Sequence, residues 1–195
     1  VCSSPSLTIR PAQPRDLVSL TELLLTSFHP RTIPLCWIYP LLRLGVYEDL
    51  RSRLRTISPD YICLVALSSR SERSWDQAQE ADEFVVGTVE VALRCAYPWQ
   101  PREFQHLYVS SLAVDANCRR QGVAQQLLRA CEQIAIDRTF QDLYLHVMEN
   151  NDHARRLYFK AGYRLQKVEM DWTTVLLGLP RKLLLHKRLA LHPIA

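Results

Sequence analysis

The sequence predicts an α/β (α+β) protein with one sheet of about seven strands. Apolar, β-prone segments alternate with segments whose apolar residues recur every three or four positions, the spacing of one helical face. The predicted order of elements is β-α-α-β-β-β-α-β-α-β-β. Apolar residues make up 48% of the 195 residues and the sequence contains no internal repeat, so residues 1–195 are predicted to form a single domain.

The first half of the chain is predicted to hold three strands and two helices. Pro14 is well placed to begin the first helix, because proline is favoured in the first helical turn. His29–Pro40 contains three prolines and is predicted to be an irregular connection, whereas Ser68–Glu83 is polar and typical of a surface loop. The predicted elements are strand Leu7–Arg10, a helix with Leu17, Leu20, Leu24 and Phe28 on one face, a helix with Val46, Leu50, Leu54 and Ile57 on one side, strand Asp60–Leu67 and strand Phe84–Arg94.

The second half is predicted to add four strands and two helices. A central β-prone run ends at Val114, and the helical repeat that follows begins at Val123. A shorter helix is closed by Gly162, since glycine is common just past a helix end. The predicted elements are strand Leu107–Val114, a helix with Val123, Leu127, Cys131 and Ile134 on one face, strand Leu143–Met148, a helix with Ala154, Leu157, Tyr158 and Ala161, and a hairpin of Tyr163–Trp172 with Lys182–Arg188.

Composition and charge argue against several classes of protein. No apolar run approaches the roughly 20 residues that span a bilayer, so no membrane partner is predicted. The net charge of +4 suits a polyanionic ligand but does not favour nucleic acid. The six cysteines include no C-x-x-C pair, so we predict reduced thiols and no metal site. A solvated basic face is predicted on the second helix, formed by Arg51, Arg53 and Arg55.

The stretch Arg119–Ala124 lies where the central strand is followed by a helix. The first turn of a helix carries unpaired N–H groups and a partial positive charge, which together bind anions. Gly122 would let an anion approach the backbone, and the two arginines would add forked donors that suit phosphate. The stretch lacks the Gly-Lys-Ser/Thr of a P-loop and the glycine spacing of a dinucleotide site. It is predicted to bind a pyrophosphate; the alternative is an ordinary basic helix start with solvated arginines.

A second segment, Asp142–Tyr163, has the sequence DLYLHVMENNDHARRLYFKAGY. Together the two segments resemble the GCN5-related N-acetyltransferase (GNAT) superfamily. The first is similar to that family's acetyl-CoA loop, Arg/Gln-x-x-Gly-x-Gly/Ala, which Arg119, Gly122 and Ala124 match. The second is similar to the strand–helix unit that completes the family's cofactor site, and it carries, at the family spacing, Asn151, Ala154, Leu157, Tyr158, Gly162 and Tyr163.

The resemblance implies the GNAT fold, a mixed sheet with helices on both faces and a parallel pair of strands that splay apart. The pair would be Leu107–Val114 and Leu143–Met148, with the pantetheine arm of acetyl-CoA between them. The backbone of the central strand would pair with pantetheine, and a main-chain N–H there would polarise the thioester carbonyl. The implied acetyl-CoA-binding residues are Leu112, Ala113, Val114, Arg119, Arg120, Gln121, Gly122, Val123, Ala124, Asn151, Ala154 and Tyr158.

Two side chains are implied to be catalytic. Tyr158 resembles the family tyrosine that faces the CoA sulfur and stabilises the leaving thiolate; the alternative is an aromatic residue of the core. His146 alternates with Leu145 and Val147, so it faces the other side of the sheet. Its strand resembles those of protein N-terminal acetyltransferases, in which this histidine is the general base; a structural histidine is the alternative. Other candidate bases are Glu90, His106 and Ser110.

The implied activity is transfer of acetyl from acetyl-CoA to a primary amine by direct attack in a ternary complex. Protein N-terminal α-amines are the first predicted acceptors and lysine side chains the second. A small-molecule amine acetyltransferase and a non-catalytic acyl-CoA-binding module are the alternatives. A looser likeness to GNAT proteins of cyanobacteria and plastids makes the plastid stroma an alternative to the cytoplasm, and a monomer or homodimer is predicted. Three loops are expected to contact the acceptor, namely His29–Pro40, Cys95–Gln105 and Asp171–Arg181.

Overall fold

A computed structural model of the chain describes residues 7–28, 39–55, 58, 60–69, 83–94, 105–169 and 178–190. Its helices and strands follow the predicted order. Short 3-10 helices precede the first and third α-helices. The elements are β1 (Leu7–Pro11), α1 (Leu17–Phe28), α2 (Tyr39–Arg55), β2 (Tyr61–Ser69), β3 (Glu83–Arg94), β4 (His106–Val114), α3 (Val123–Asp137), β5 (Asp142–Met148), α4 (Asp152–Lys160), β6 (Arg164–Glu169) and β7 (Lys182–Arg188).

The strands form one mixed seven-stranded sheet in the order β1-β2-β3-β4-β5-β7-β6. β1 runs antiparallel to β2, and β7 runs antiparallel to both β5 and β6. β4 and β5 are parallel, but their ladder pairs only Leu107–Val109 with Leu143–Leu145, while β4 continues to Val114 and β5 to Met148. The predicted fold class is therefore confirmed, and the short parallel ladder is what a splayed strand pair requires.

The chain divides into two compact units, Val1–Glu90 with Ser111–Leu127 and Val91–Ser110 with Leu128–Ala195. Strands β3 and β4 and helix α3 each contribute residues to both units. The single domain expected from the sequence stays a prediction.

In the first unit, α1 and α2 pack against each other and bury a leucine-rich face together with one side of β2. Six consecutive residues are buried in β2 and six in β3. Continuous burial of this kind indicates strands that are covered on both faces. The buried cluster beneath the two helices consists of Leu17, Leu20, Leu23, Leu24, Leu50, Cys63, Val65, Leu67 and Ala113.

In the second unit, the buried and half-buried residues of β5 alternate strictly. Leu143, Leu145 and Val147 are buried, and the intervening side chains lie on the other face. α3 buries Leu128 and Cys131 in this unit. Ile134 was expected on its buried stripe but is only half-buried, and the neighbouring Ala135 is fully buried, because a 3.6-residue repeat drifts around the helix.

Several element boundaries in the structure differ by one or two residues from those predicted from the sequence. α2 begins at Tyr39, so Pro40 lies in its first turn, where proline is tolerated. β2 continues to Ser69 and β3 begins at Glu83, so both ends of the predicted surface loop belong to strands. Parts of the expected acceptor loops, at 29–38, 95–104 and 171–177, lie outside the described residues, as does Ile57.

Three cysteines of the described chain, Cys63, Cys118 and Cys131, carry free thiols. Within the described ranges, no helix is long and apolar enough to cross a membrane. The same part of the chain contains no group of three side chains that could hold a metal ion.

Arg10 at the end of β1 and Asp16 just before α1 form a largely buried ion pair. Arg10 Nη1 and Nη2 donate to the two carboxylate oxygens of Asp16 at 2.7 and 2.9 Å, and the Gln13 N–H donates to Asp16 Oδ2 at 2.7 Å. Burial alone would raise the pKa of Asp16, but these hydrogen bonds and the charge of Arg10 outweigh it and lower the pKa. A lowered pKa in the folded state means that the pair stabilises the fold above the ordinary aspartate pKa and loses that effect as the pH falls.

We therefore expect Asp16→Asn to lower the free energy of unfolding by about 2–3 kcal/mol at pH 7, since it leaves a guanidinium without its counter-charge. The loss should begin to shrink as the pH falls below about 4, where the unfolded chain takes up the proton, and should vanish only as the pH passes through the lowered pKa of the folded state. Urea unfolding at pH 7 and pH 3.5 measures both effects, with exposed Asp60→Asn as the control. Equal stability of the two variants at pH 7 would contradict this account.

Candidate active site

The loop between β4 and α3 is held by its own hydrogen bonds. The Asp115 carboxylate accepts from the Asn117 N–H at 2.9 Å, and Gln121 Nε2 donates to the Asn117 carbonyl at 3.1 Å. Arg119 Nε donates to the Val114 carbonyl at 3.1 Å. Arg119 thus stabilises the loop through its Nε atom. Its two terminal guanidinium nitrogens are the donors that could bind an anion.

The backbone of this loop has the form of an anion-binding turn. Arg120 and Gly122 have φ values of +63° and +84°, so the chain is left-handed at both positions. The first hydrogen bond of α3 runs from Gln126 N to the Gly122 carbonyl at 3.0 Å, which places the N–H groups of Val123 and Ala124 ahead of the hydrogen-bonded turns. A Cβ built on Gly122 meets nothing within 4 Å, so the space in front of the turn is open. These features fit a phosphate group.

α3 begins close against β3 because the residue that faces it is glycine. A Cβ on Gly87 would lie 3.0 Å from Val123 Cγ1, 3.1 Å from Leu127 Cδ1 and 3.3 Å from the Ala113 carbonyl oxygen. Two of these neighbours belong to the first turns of α3, so Gly87 sets the depth at which the helix start lies on the sheet.

The segment of β4 that leads into this loop is irregular. Ser111 has a φ of +53°, which is uncommon for a residue with a Cβ and interrupts the pleat of the strand. Beyond it, Ala113 is buried while Leu112 and Val114 are half-buried. Left-handed residues within strands are frequent next to functional sites.

A cavity of about 170 Å³ lies in the first unit beside Ser111. Its walls are mainly apolar, and its charged residues come from α2 and β3. The lining residues are Leu24, Phe28, Val46, Asp49, Leu50, Arg53, Glu90 and Ser111.

Arg53 connects the two carboxylates of this cavity. Its guanidinium forms an ion pair with Asp49 at 2.9 Å and donates to Glu90 Oε2 at 3.1 Å. Glu90 is 3% exposed, so Arg53 is the partner of a buried charge. The sequence placed Arg53 on a solvated face, and its side chain is indeed 45% exposed, while its guanidinium also reaches across to β3.

In the second unit, His146 forms a short hydrogen bond with a tyrosine of the neighbouring strand. His146 Nδ1 lies 2.6 Å from the Tyr108 hydroxyl, and both side chains are half-buried. They share a face because the parallel register places Tyr108 opposite Tyr144, two residues before His146. Burial raises the pKa of Tyr108, and the charge of Arg94 and the hydrogen bond with His146 oppose that rise. The Tyr108 hydroxyl therefore keeps its proton near pH 7.

Two charged groups flank this pair. The Arg94 guanidinium lies over the Tyr108 ring, 3.8 Å from its centroid, in a cation–π contact. His146 Nε2 lies 3.0 Å from Glu169 Oε2, but the contact is not aligned as a hydrogen bond, so it is a charge contact at a buried ring nitrogen. His146 was a candidate from the sequence, whereas its neighbours Tyr108, Arg94 and Glu169 were not. The alternation Leu107-Tyr108-Val109 could have indicated Tyr108, because it faces away from two buried residues.

Tyr158 lies on α4 and is 8% exposed. Its ring meets the Tyr163 ring edge-to-face, with centroids 5.9 Å apart. Burial raises the pKa of Tyr158 to about 12. The hydroxyl therefore stays protonated throughout the physiological range and can act as a hydrogen-bond donor.

Two of the residues that were predicted to bind the cofactor, Asn151 and Ala154, have a structural role at the N-terminus of α4. The Asn151 side chain accepts from the Ala154 N–H at 3.1 Å and so caps the helix. Gly162 follows the helix with a φ of +92°, as expected of a residue just past a helix end. These contacts account for the local structure, and a cofactor role for Asn151 and Ala154 stays a prediction.

Residues 36–163 match the sequence profile of the family described as "Acetyltransferase (GNAT) family". The chain belongs to this family. The resemblance noted in the sequence is thus confirmed.

One relative of this GNAT chain is GCN5-related N-acetyltransferase 10, chloroplastic, of Arabidopsis thaliana, which is 33% identical over 147 residues. The alignment covers 73% of this chain and 56% of the relative, and the chain spans less than two thirds of the length of the curated relatives that it matches.

Solved structures share the fold at low sequence identity. PaiA N-acetyltransferase of Thermoplasma acidophilum in complex with coenzyme A has a TM-score of 0.67 at 18% identity, over 94% of this chain and 99% of that one. Arabidopsis thaliana NAA60 in complex with a bisubstrate analogue has a TM-score of 0.63 at 18% identity, over 95% of this chain and all of that one. Both support the GNAT fold.

The predicted site residues of this GNAT chain fall into two groups. The first unit holds the pyrophosphate loop, the segment Leu112–Val114 and the candidate base Glu90. The second unit holds Tyr158 and His146. The remaining candidate bases also lie in the second unit: His106 meets the Tyr144 ring edge-on, with centroids 4.7 Å apart, and Ser110 is half-buried on β4.

Proposed function

We propose that the chain is an acetyl-CoA-dependent N-acetyltransferase that transfers acetyl to a primary amine by direct attack in a ternary complex. The observation that carries the proposal is the Tyr108–His146 hydrogen bond, which joins a neutral donor to an imidazole on one half-buried face. Such a pair can accept a proton from an amine. Membership of the acetyltransferase family supports the reaction type.

The cofactor is assigned to the first unit through its phosphates. The left-handed turn at Arg120 and Gly122 and the helix start behind it support pyrophosphate binding by the backbone of Arg119–Ala124. The main chain of Leu112–Val114 is proposed to pair with pantetheine, and acetyl-CoA supplies the thioester. A main-chain N–H at this segment would polarise the thioester carbonyl, a contribution of on the order of 3 kcal/mol. The solved neighbours in complex with CoA support this assignment.

The acceptor must lose two protons in the reaction. One N–H proton passes to the Tyr108 oxygen as the Tyr108 proton passes to His146 Nδ1, so Tyr108 is regenerated and His146 becomes imidazolium. The neutral amine then forms the C–N bond to the acetyl carbon, and the C–S bond breaks. The second N–H proton leaves with the sulfur as the CoA thiol. Glu90 is the alternative base, but one of its oxygens already accepts from Arg53, which supports His146.

Tyr158 is proposed to donate a hydrogen bond to the departing sulfur. Its pKa of about 12 exceeds that of an ordinary thiol, near 8.5, by roughly 3.5 units, so full proton transfer would cost about 5 kcal/mol. Tyr158 therefore stabilises the thiolate by hydrogen bonding and keeps its own proton.

Protein N-terminal α-amines are the proposed acceptors, with lysine side chains as a second class. An α-amino group has a pKa of about 8 and is partly neutral at pH 7.5, whereas neutralising a lysine costs about 4 kcal/mol.

The compartment and assembly are proposals as well. Relatives that are named chloroplastic support the plastid stroma over the cytoplasm. A monomer or a homodimer is proposed as the assembly.

Release of free thiol from acetyl-CoA tests the function. We expect release with peptides that have a free N-terminus and none with the same peptides carrying an N-terminal acetyl group and no lysine. Release with small amines alone would favour a small-molecule acetyltransferase. Binding of acetyl-CoA without release on either panel would favour a non-catalytic acyl-CoA-binding module.

A further inference from the structure

β6 contains a one-residue bulge that decides which face of the sheet its last residues occupy. Leu165 lies opposite Leu185 of β7, but the next pair is Lys167 with Leu184, so Gln166 is the extra residue of β6. Because side chains alternate along a strand, one extra residue moves every later side chain to the opposite face.

The bulge places Glu169 on the face that carries His146. In an unbroken register, Glu169 would share the face of Leu183 and Leu185, which are buried. With the bulge it lies opposite Lys182, and its Oε2 approaches His146 Nε2 to 3.0 Å. Bulges next to active sites commonly redirect a side chain in this way.

We propose that Glu169 is a positioning residue for His146, which fixes the ring's protonation state and stabilises its charged form. The inference rests on the proposed role of His146 as the base. A carboxylate beside Nε2 favours the tautomer that carries its proton there. Nδ1 is then the acceptor of the Tyr108 hydroxyl proton, as the proposed proton transfer requires.

Glu169 is the negatively charged side chain nearest to His146 among the described residues. Of the described residues, Glu169 alone brings a carboxylate within 4 Å of the ring. Asp142, on the same strand, is already 2.6 Å from His186 Nε2. The other charged or titratable groups that the described strands place on this face are Arg94 of β3, His106 and Tyr108 of β4, Tyr144 of β5, Arg164 and Lys167 of β6, and Lys182, His186 and Arg188 of β7.

The first test is nuclear magnetic resonance of ring nitrogens in protein labelled with ¹⁵N-histidine, with His146 assigned by comparison with His146→Gln. In the wild type we expect the neutral ring to carry its proton on Nε2. In Glu169→Gln we expect a larger fraction protonated on Nδ1, because the carboxylate that favours a proton on Nε2 is gone. Glu169→Asp should restore part of the wild-type behaviour.

The second test is the single-turnover rate as a function of pH. Glu169→Gln should lower the plateau rate roughly 10- to 100-fold, as carboxylates that orient functional histidines do, and move the midpoint of the acid limb to lower pH. Asp137→Asn is the control, since it removes one negative charge from an exposed helix end in the same unit. A merely structural Glu169 would lower the rate and leave the midpoint in place.

The two tests separate this inference from the proposed function. An unchanged ring tautomer and an unchanged midpoint in Glu169→Gln would overturn the role of Glu169, whether or not the chain is active. If the chain acetylates no amine while the tautomer shifts as expected, the coupling of Glu169 to His146 stands and the proposed function fails.

Discussion

Replacing Gly122 with glutamate is expected to weaken the binding of acetyl-CoA severely. The φ of +84° at Gly122 lies in the left-handed region, where a Cβ costs roughly 1–2 kcal/mol. The new carboxylate would also project into the open space in front of the turn, where the phosphates are proposed to bind. Blockage, strain and like charge act in the same direction, so we expect a loss on the order of 100-fold or more, about 3 kcal/mol, in calorimetric titration.

Gly178→Glu is the matched control for this variant. Gly178 also has a positive φ, +59°, and a Cβ there also meets nothing within 4 Å. The two substitutions therefore add the same strain and the same charge, but Gly178 lies in the turn before β7. We expect its affinity for acetyl-CoA to remain near that of the wild type. If Gly122→Glu bound acetyl-CoA as tightly as Gly178→Glu, the assignment of the pyrophosphate to the Arg119–Ala124 loop would be wrong.

Tyr158→Phe is expected to lower the single-turnover rate by about 100-fold while leaving acetyl-CoA affinity unchanged. The ring and its contact with Tyr163 are kept, so only the proposed donor to the thiolate is lost, and one such donor typically contributes 10²–10³ in rate. Because burial raises the pKa of Tyr158 to about 12, the wild-type hydroxyl keeps its proton as the pH rises. The rate should therefore show no loss attributable to this group below about pH 10.

Tyr163→Phe provides the comparison. Tyr163 is fully buried beside Tyr158, and its hydroxyl has no hydrogen-bond partner among the described residues. Removing that hydroxyl should leave the rate unchanged, since it does not take part in the proposed reaction, and the loss of an unsatisfied polar group should not destabilise the fold. If both variants turn over at the wild-type rate, with chemistry shown to be rate-limiting, Tyr158 has a structural role in the core and no role in the reaction.

Local patterns predicted much of what the structure contains. The alternation around His146 placed it opposite the face of Leu145 and Val147, and the burial of β5 agrees. Gly122 was predicted to leave the backbone of its loop open to an anion, and a Cβ built there meets nothing within 4 Å. Both properties depend on a few neighbouring residues, and a single sequence is enough to specify them.

The groups around the predicted site could not be found in the same way. Glu169 reaches His146 only because Gln166 is bulged, and a register shift leaves no mark in the alternation that a sequence displays. The Arg53–Glu90 contact joins residues far apart in the chain, and only the packing of α2 on the sheet brings them together. Long-range contacts of this kind depend on tertiary structure: helical periodicity predicts the exposure of Arg53 correctly but does not reveal its contact with Glu90.

The close fit of Gly87 against the start of α3 restricts how the sequence of this protein can change over generations. A single added methyl group at position 87 would press on Val123, whose branched side chain has little freedom to rotate away. The same methyl group would also lie 3.1 Å from Leu127 Cδ1 and 3.3 Å from the Ala113 carbonyl oxygen, so a smaller residue at 123 would relieve only part of the crowding and would leave a void while position 87 stays glycine. Glycine at 87 is therefore expected to persist for as long as its three neighbours keep their places.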